Sequence, residues 1–359
     1  MISALVVSFL SLSHGSTRWS GTARSDAERV EAVVLKHMTD PGAVGISVAV
    51  ARGDELVYSK AHGFADLEFS VKTDEETMFR IGSVTKQFTA AAILKLAERG
   101  KLSVDDPLTR FLPDYPTHGH ELTLRHLLTH TGGIPNYTNL GPKWEVNMAR
   151  ELPDEELVAL WKDLPLDFAP GEKWNYSNSG YYLLGMVVAK VSGKSYADFV
   201  RETFFEPLGL ARTRYDSNEE VLPNRAQGYA FGDGKFWNDG LIGLSQPGAA
   251  GALISTARDL VRWQQALVSG KVVKPESYEE MTLPYLLVNG RETGYGMGLQ
   301  LDQRASQRCV WHGGGINGFN SVLLYFPDSA LHIAVISNSE GLRADALGLE
   351  LAKEILISK

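Results

Sequence analysis

Cysteine is almost absent from this chain: Cys309 is the only one among 359 residues. A single thiol excludes an intrachain disulfide and any zinc site built from cysteines. Cys309 stands just before a glycine-rich segment that is typical of a strand edge. We therefore expect it to be a small buried hydrophobic side chain.

Positive charge is also limited, with 35 lysines and arginines against 43 aspartates and glutamates and a formal net charge of −8. No block of basic residues is present, which argues against nucleic-acid binding. No apolar run beyond the N-terminus is long enough to span a bilayer. A hydrophobic content of 44% and a charged content of 22% are typical of a globular protein.

Two common catalytic patterns are missing as well. No Gly-x-Ser-x-Gly elbow occurs, which argues against an α/β-hydrolase. A histidine-rich stretch contains His118, His120, His126 and His130. It lacks the partners of a known metal site, since Leu124 stands where a zincin would carry its second histidine. We therefore expect no metal and no cofactor, and we interpret these histidines as exposed or core residues.

The most informative stretch is Ser83-Val84-Thr85-Lys86, which leads into an apolar run at helical spacing from Phe88 to Leu96. Residues three apart share a helix face, so this spacing places an amine beside a hydroxyl. A lysine kept from water loses its charge more readily and can then activate a serine. The alternative is a serine that caps the helix, followed by a solvated lysine.

Two Tyr-x-Asn triplets offer a second proton carrier. Tyr176-Ser177-Asn178 follows the turn at Pro170-Gly171 and precedes an apolar helix, a context that suits a rigidly held phenol. Tyr137-Thr138-Asn139 lies in a glycine- and proline-containing loop and is better interpreted as a pocket wall. For Tyr176 alone, a buried structural tyrosine is the competing interpretation.

A third motif, His312-Gly313-Gly314-Gly315, precedes a predicted hairpin formed by residues 321–326 and 331–337. Glycines at a strand edge let a substrate lie against the backbone. His130-Thr131-Gly132 has the same His-x-Gly form but follows a helical stretch, which predicts a helix exit. We therefore prefer His312.

Ser-x-x-Lys, Tyr-Ser-Asn and His-Gly-Gly in this order resemble the serine β-lactamase and penicillin-binding protein superfamily. The branch indicated contains class C β-lactamases, D-alanyl-D-alanine carboxypeptidases, D-aminopeptidases and family VIII esterases. The resemblance extends over roughly residues 28–340. Other segments similar to the family are 79–82, 127–133, 168–171, 207–210 and 251–260.

The patterns predict an α+β fold with an antiparallel sheet built from both chain ends and flanked by helices, as in the β-lactamase/transpeptidase-like family. Residues 25–82 and 295–359 would form one lobe and residues 83–294 an inserted helical lobe, with the site between them. The predicted strands lie at 44–51, 55–61, 295–301, 321–326 and 331–337. The predicted helices lie at 87–99, 122–129, 154–162, 182–191, 256–268 and 343–357.

The resemblance implies an acyl-enzyme mechanism on Ser83, with Lys86 or Tyr176 as the first proton acceptor. The amides of Ser83 and Gly315 would hold the oxyanion. Tyr176, kept acidic by Lys86, would protonate the leaving group. Asn178 would orient Lys86 and bind an acyl-side carbonyl.

His312, Gly314 and Gly315 are expected to bind substrate. β-Lactamases usually carry lysine at the position of His312, whose imidazole is mostly neutral at pH 7. A weaker cation holds an anionic antibiotic less well, so we rank ester hydrolysis first, D-amino-acid peptide cleavage second and β-lactam hydrolysis third. A penicillin-binding sensor that acylates without turnover is the non-enzymatic alternative.

The N-terminus has an apolar stretch from Ile2 to Leu12 of signal-peptide length, without a positively charged start or a clean cleavage site. Residues 1–24 are interpreted as a signal-like or disordered leader. The resemblance favours a periplasmic or secreted protein, with a cytoplasmic esterase as the alternative.

Overall fold

A computed structural model describes residues 25–357. The interpretation of residues 1–24 as a leader lies outside the described residues, and the expected location outside the cytoplasm stays a prediction. The strands are β1 Gly45–Arg52, β2 Glu55–Asp66, β3 Val71–Lys72, β4 Phe79–Arg80, β5 Arg214–Tyr215, β6 Tyr229–Gly232, β7 Lys235–Asn238, β8 Leu253–Ser255, β9 Gln300–Arg304, β10 Gln307–Ile316, β11 Phe319–Phe326 and β12 Leu331–Ser337.

Helices fill the middle of the chain and both of its described ends. They are α1 Asp26–His37, α2 Thr85–Glu98, α3 Leu124–Leu128, α4 Pro142–Glu145, α5 Asp154–Val158, α6 Asn178–Ser192, α7 Tyr196–Val200, α8 Glu206–Leu208, α9 Gly248–Gly251, α10 Ala257–Val268, α11 Pro275–Met281 and α12 Ala344–Ile357. No helix within residues 25–357 is long and apolar enough to cross a bilayer.

Seven strands form one antiparallel sheet in the order β3-β2-β1-β12-β11-β10-β9. The central pairing joins the two ends of the chain, since Ile46 of β1 lies opposite Ser337 of β12. Successive side chains of a strand point to opposite faces, so both faces of the sheet can be buried. The α+β fold with a sheet from both chain ends is confirmed, while the lobe boundaries at residues 83 and 294 stay a prediction.

The two faces of the sheet are covered by different helices. On one face, α1 and α12 pack with residues such as Val34 and Leu351 against Val48 and Val335. On the other face, α10 packs against β1 and β12. Beyond it lies α2, whose residues from Thr85 to Leu94 are all buried. Other elements therefore surround the first three turns of α2, although these turns include the polar residues Lys86 and Gln87.

One predicted strand is placed differently. The sequence predicted a strand over residues 295–301, but β9 starts only at Gln300, and Tyr295 joins Gln300 through a single antiparallel bridge. Gly294, directly before Tyr295, has a φ of +68°, and Gly298, between Tyr295 and Gln300, has a φ of +73°. This backbone region suits glycine in turns, so the segment folds into a tight turn instead of a strand.

Gly314 and Gly315 provide a matched test of how β10 packs. A Cβ at Gly314 would lie 2.0 Å from the Ile81 carbonyl oxygen, whereas a Cβ at Gly315 would meet nothing within 4 Å. We expect Gly314→Ala to lower the free energy of unfolding by about 1–3 kcal/mol or more, as overpacking does, and Gly315→Ala to change it little. Denaturant unfolding of both variants measures this. Equal stability of the two would contradict the packing.

Candidate active site

Ser83 lies in a single 3₁₀ turn, Gly82–Val84, directly before α2. Gly82 has a φ of +48°, and a Cβ there would come within 2.8–2.9 Å of the carbonyl oxygen and nitrogen of Gly315. Only glycine therefore lets β10 approach the serine so closely. The residue that caps α2 is Val84, not Ser83, so the alternative of a capping serine is wrong.

Lys86 is fully buried, and its Nζ has three oxygen neighbours. Nζ lies 3.1 Å from Ser83 Oγ, 2.8 Å from Asn178 Oδ1 and 2.9 Å from the Ala250 carbonyl oxygen. The last two atoms can only accept hydrogen bonds. The alternative of a solvated lysine is therefore also wrong.

Burial lowers the pKa of Lys86 well below its ordinary value, because a charged amine in this interior lacks water. A neutral amine has two N–H donors and one lone pair. The two carbonyl oxygens take the two donors, and the lone pair remains for the hydrogen of Ser83 Oγ. The geometry is that of a base beside a hydroxyl.

Asn178 is held in one orientation by its own partners. It is the first residue of α6, and its Nδ2 donates to Thr138 Oγ1 at 3.2 Å. Its backbone N–H donates to Asn136 Oδ1 at 3.1 Å. These contacts identify Oδ1 as the atom that faces Lys86, so the amide fixes the position of the amine.

Tyr176 is partly exposed as a residue, but its hydroxyl is buried and has no hydrogen-bond partner of good geometry within residues 25–357. Lys86 Nζ lies 4.6 Å from the centre of its ring. Burial raises the pKa of Tyr176, and the Ser83 hydroxyl opposes only part of that rise. The expectation of an acidic Tyr176 is therefore wrong, because burial disfavours the charged phenolate. The phenol keeps its proton and is a donor.

The triplet Tyr137-Thr138-Asn139 forms part of a pocket wall, as the sequence indicated. Tyr137 is buried, and its hydroxyl donates to the Gln246 carbonyl oxygen at 2.6 Å. Both Tyr137 and Thr138 line a cavity of about 240 Å³ that also contains Ser83. The cavity is lined by Gly82, Ser83, Tyr137, Thr138, Trp144, Asn178, Ile242, Pro247, Ala250, Gly251, Gly315, Ile316 and Asn317.

His312 differs most from its expected role as a partial cation. It is buried, and its Nδ1 donates to the Gly313 carbonyl oxygen at 2.6 Å. Its Nε2 must then accept from the hydroxyl of Tyr295, 2.9 Å away. Burial, with a smaller effect of Lys86, lowers the pKa of His312 to about 3. His312 is neutral, both ring nitrogens are occupied, and it does not line the cavity.

The glycines that follow His312 have different surroundings. Gly315 lines the cavity beside Ser83 and leaves open space where a side chain would stand. Gly314 is outside the cavity and packs against the Ile81 carbonyl oxygen. Gly314 therefore has a packing role, and its contact with substrate stays a prediction. Gly315 lies where a substrate could approach its backbone, and its role as an oxyanion donor stays a prediction.

The histidine-rich stretch does not form a cluster. His118 and His120 are exposed, whereas His130 is buried just after α3. His126 bonds to Thr123 at the start of the same helix. Within the described part of the chain, no group of three or more side chains could hold a metal ion. Cys309 is a buried free cysteine, as predicted.

Sequence reasoning missed two features of the site. The Ala250 carbonyl oxygen is a backbone group, which carries no residue-type signal. Gln246 is fully buried in the loop before α9 and holds much of the cavity wall through its side chain. Its position beside Pro247-Gly248, close before the family-like segment 251–260, is the one signal that the sequence offered.

Known proteins share this pattern. Residues 30–356 match the family described as Beta-lactamase. Penicillin-binding protein 4* of Bacillus subtilis (strain 168) is 31% identical over 309 residues, which cover 82% of this chain and 68% of that protein. Esterase EstB of Burkholderia gladioli is 36% identical over 217 residues, which cover 56% of this chain and 55% of that protein.

A solved structure agrees with these matches. The D-amino acid amidase of Ochrobactrum anthropi SV3, complexed with D-phenylalanine, superposes with a TM-score of 0.80 at 26% identity. The alignment covers 92% of this chain and 99% of that one. The resemblance drawn from the three motifs is confirmed, and the chain belongs to the beta-lactamase family as a serine hydrolase.

Proposed function

We propose that this protein hydrolyses small neutral esters through an acyl-enzyme on Ser83. The observation that carries the proposal is the character of the cavity at Ser83. None of the residues that line it is an aspartate, glutamate, lysine, arginine or histidine. A substrate group with a full charge would therefore lose water there without gaining an ionic partner, which is costly.

The size of the cavity also favours a small substrate. Its volume of about 240 Å³ is below the roughly 300–1,000 Å³ of pockets for drug-sized ligands. The apolar side chains of Trp144, Ile242 and Ile316 line it. A short apolar acyl group fits such a space and gains by leaving water.

The apolar wall is held in place by one buried amide. Gln246 Oε1 accepts from Trp144 Nε1 at 2.7 Å. Its Nε2 lies 2.5–3.0 Å from the carbonyl oxygens of Asn147, Met148 and Arg150. Because these bonds fix both the indole and the loop that follows it, the acyl site is formed before substrate arrives.

In acylation, Ser83 Oγ attacks the ester carbonyl carbon while its proton passes to Lys86 Nζ. We assign the resulting oxyanion to the N–H groups of Ser83 and Gly315. The bond from the carbonyl carbon to the alcohol oxygen then breaks. Tyr176 Oη gives its proton to that oxygen and receives one from Lys86, so the alcohol leaves neutral.

Deacylation reverses these proton movements. Water attacks the acyl carbon and gives a proton to Tyr176 Oη, which passes its own to Lys86. The bond to Ser83 Oγ breaks, the acid leaves, and Lys86 returns the proton to the serine. A neutral Lys86 and a protonated Tyr176 are regenerated, which are the states that burial favours in both residues.

Cleavage of D-amino acid amides is the second candidate, supported by the structural likeness to an enzyme of that name. Its substrate carries an ammonium group, and the residues lining the cavity provide no carboxylate for it. β-Lactams and D-alanyl peptides carry a carboxylate, which the neutral His312 does not attract. A neutral ester therefore ranks first among these substrates, because the residues at the site offer no charge to bind a charged one.

A substrate panel on one preparation tests the proposal. We expect kcat/KM for p-nitrophenyl butyrate to exceed that for D-phenylalanine amide, a D-alanyl peptide and a chromogenic cephalosporin. One missing charge-assisted hydrogen bond of about 1.5–3 kcal/mol corresponds to about 10–100-fold. Ser83→Ala should abolish turnover and labelling by a fluorophosphonate. Faster cleavage of the amide or the cephalosporin would refute the ester assignment.

The two tyrosines of the Tyr-x-Asn triplets should respond in opposite ways. Tyr176→Phe removes a proton carrier and should lower kcat by about 10²–10⁴-fold. It should cost little stability, because within residues 25–357 its hydroxyl has no hydrogen-bond partner of good geometry. Tyr137→Phe leaves the Gln246 carbonyl oxygen without its donor and should cost about 1–3 kcal/mol of stability with little effect on kcat. Steady-state kinetics and denaturant unfolding measure both. The reverse ranking would mean that Tyr137 is the proton carrier.

Activity should depend on pH through Lys86. Only the neutral amine accepts the serine proton, so kcat/KM should fall as the pH drops through the pKa of Lys86. Because burial lowers that pKa, the loss should lie well on the acid side of the ordinary lysine value. Lys86→Arg, which stays protonated, should be inactive across the profile. Lys95→Arg, on the outer side of the same helix, is the control and should keep the wild-type profile.

A further inference from the structure

His130 contacts the backbone on both sides of Tyr176. It lies two residues after the end of α3, and its carbonyl oxygen accepts from the N–H of Asn175 at 3.0 Å. Its side-chain Nδ1 accepts from the N–H of Ser177 at 3.2 Å. The residue before Tyr176 and the residue after it are therefore both tied to the same histidine.

The imidazole also packs against the Tyr176 ring itself. The two ring centres lie 4.3 Å apart with an angle of 41° between the planes. The imidazole further contacts the rings of Tyr181 and Tyr295, at 5.0 and 4.8 Å. Tyr176 is thus held against His130, while Lys86 Nζ lies 4.6 Å from its ring centre.

The hydrogen bonds define the state of the imidazole. Since Nδ1 accepts a backbone N–H, the ring proton must be on Nε2. Nε2 is buried and has no hydrogen-bond partner within residues 25–357. His130 does not line the cavity at Ser83, so it is not placed to exchange protons with a substrate.

The backbone at His130 has a further cost. Its φ is +59°, in the left-handed region that residues other than glycine rarely adopt. A buried N–H without a partner is unfavourable as well. Both costs persist only where the surrounding structure imposes them, and here they accompany the contacts to Tyr176.

We propose that His130 is the positioning residue for Tyr176, holding its hydroxyl in line with Ser83 and Lys86 by clamping the backbone on both sides and supporting the ring. This inference rests on the proposed function, because it concerns the proton that Tyr176 gives to the leaving alcohol. A displaced Tyr176 matters most for a poor leaving group. An alkoxide needs that proton, whereas p-nitrophenolate leaves well without it.

The test compares kcat/KM for ethyl butyrate and p-nitrophenyl butyrate, which share an acyl group and differ in the alcohol. His130→Phe keeps a ring but removes the acceptor for Ser177. We expect it to lower kcat/KM for the ethyl ester by about tenfold or more beyond any loss on the p-nitrophenyl ester. His332→Phe is the matched control, since His332 is also buried, stacks on Tyr325 at 4.6 Å and bonds to Gln264. In the His332→Phe variant, the ratio of kcat/KM for the two esters should stay at the wild-type value.

A double-mutant cycle decides whether His130 acts through Tyr176. In a Tyr176→Phe background, His130→Phe should leave the ratio unchanged, because the hydroxyl that it positions is gone. If His130→Phe yields no protein that a fluorophosphonate labels, His130→Asn enters the same cycle, since asparagine tolerates the left-handed backbone.

Equal losses on both esters, or additive losses in the double variant, would overturn the inference and leave His130 a structural residue. Both results leave the ester assignment intact, because wild-type enzyme would still hydrolyse both substrates. Failure of the wild type on either ester would count against the proposed function itself.

Discussion

The burial of one amine is the constraint on which the rest of the site depends. Lys86 can act as a base only in its uncharged form, and burial favours that form because α2 carries the amine into the interior. The interior must then satisfy its two N–H groups without adding a negative charge, which would restore the cation. Two neutral carbonyl oxygens, from Asn178 and Ala250, meet that requirement.

The same constraint explains why the surrounding aromatic residues are neutral. A cation near Lys86 would need water or a counter-ion. The aromatic side chains around the amine include Tyr176, Tyr181, His130 and His312. Each histidine uses a ring nitrogen for a backbone contact. In the proposed mechanism, protons would pass among groups whose neutral forms burial favours.

Much of this arrangement was predictable because it is local in sequence. The three-residue spacing of Ser83 and Lys86 follows from helix geometry, and the loop-to-helix context distinguished Tyr176 from Tyr137. The paired strands at both chain ends came from alternating apolar residues and turn signals. The order of the motifs then indicated the family, which the match over residues 30–356 confirms.

What could not be predicted is set by residues distant in sequence. His312 is neutral because it is buried, and the hydroxyl of Tyr295 occupies its Nε2. Tyr176 keeps its proton because its hydroxyl is buried, and burial is a property of the whole fold. Gly314 packs against Ile81, which is far away in the chain, so no local sequence pattern indicates its packing role.

The order in which the chain is synthesised gives the seven-stranded sheet a further consequence. β1 pairs with β2 soon after both are made, but its other edge must wait for β12, as Ile46 pairs with Ser337. Closing so long a loop is slow, and an unpaired strand edge can bind other chains in the meantime. Ser83 and α2 likewise precede β10, whose Gly315 lies against Gly82. A nascent chain therefore carries an unpaired sheet edge and an incomplete candidate site until its last strands have emerged.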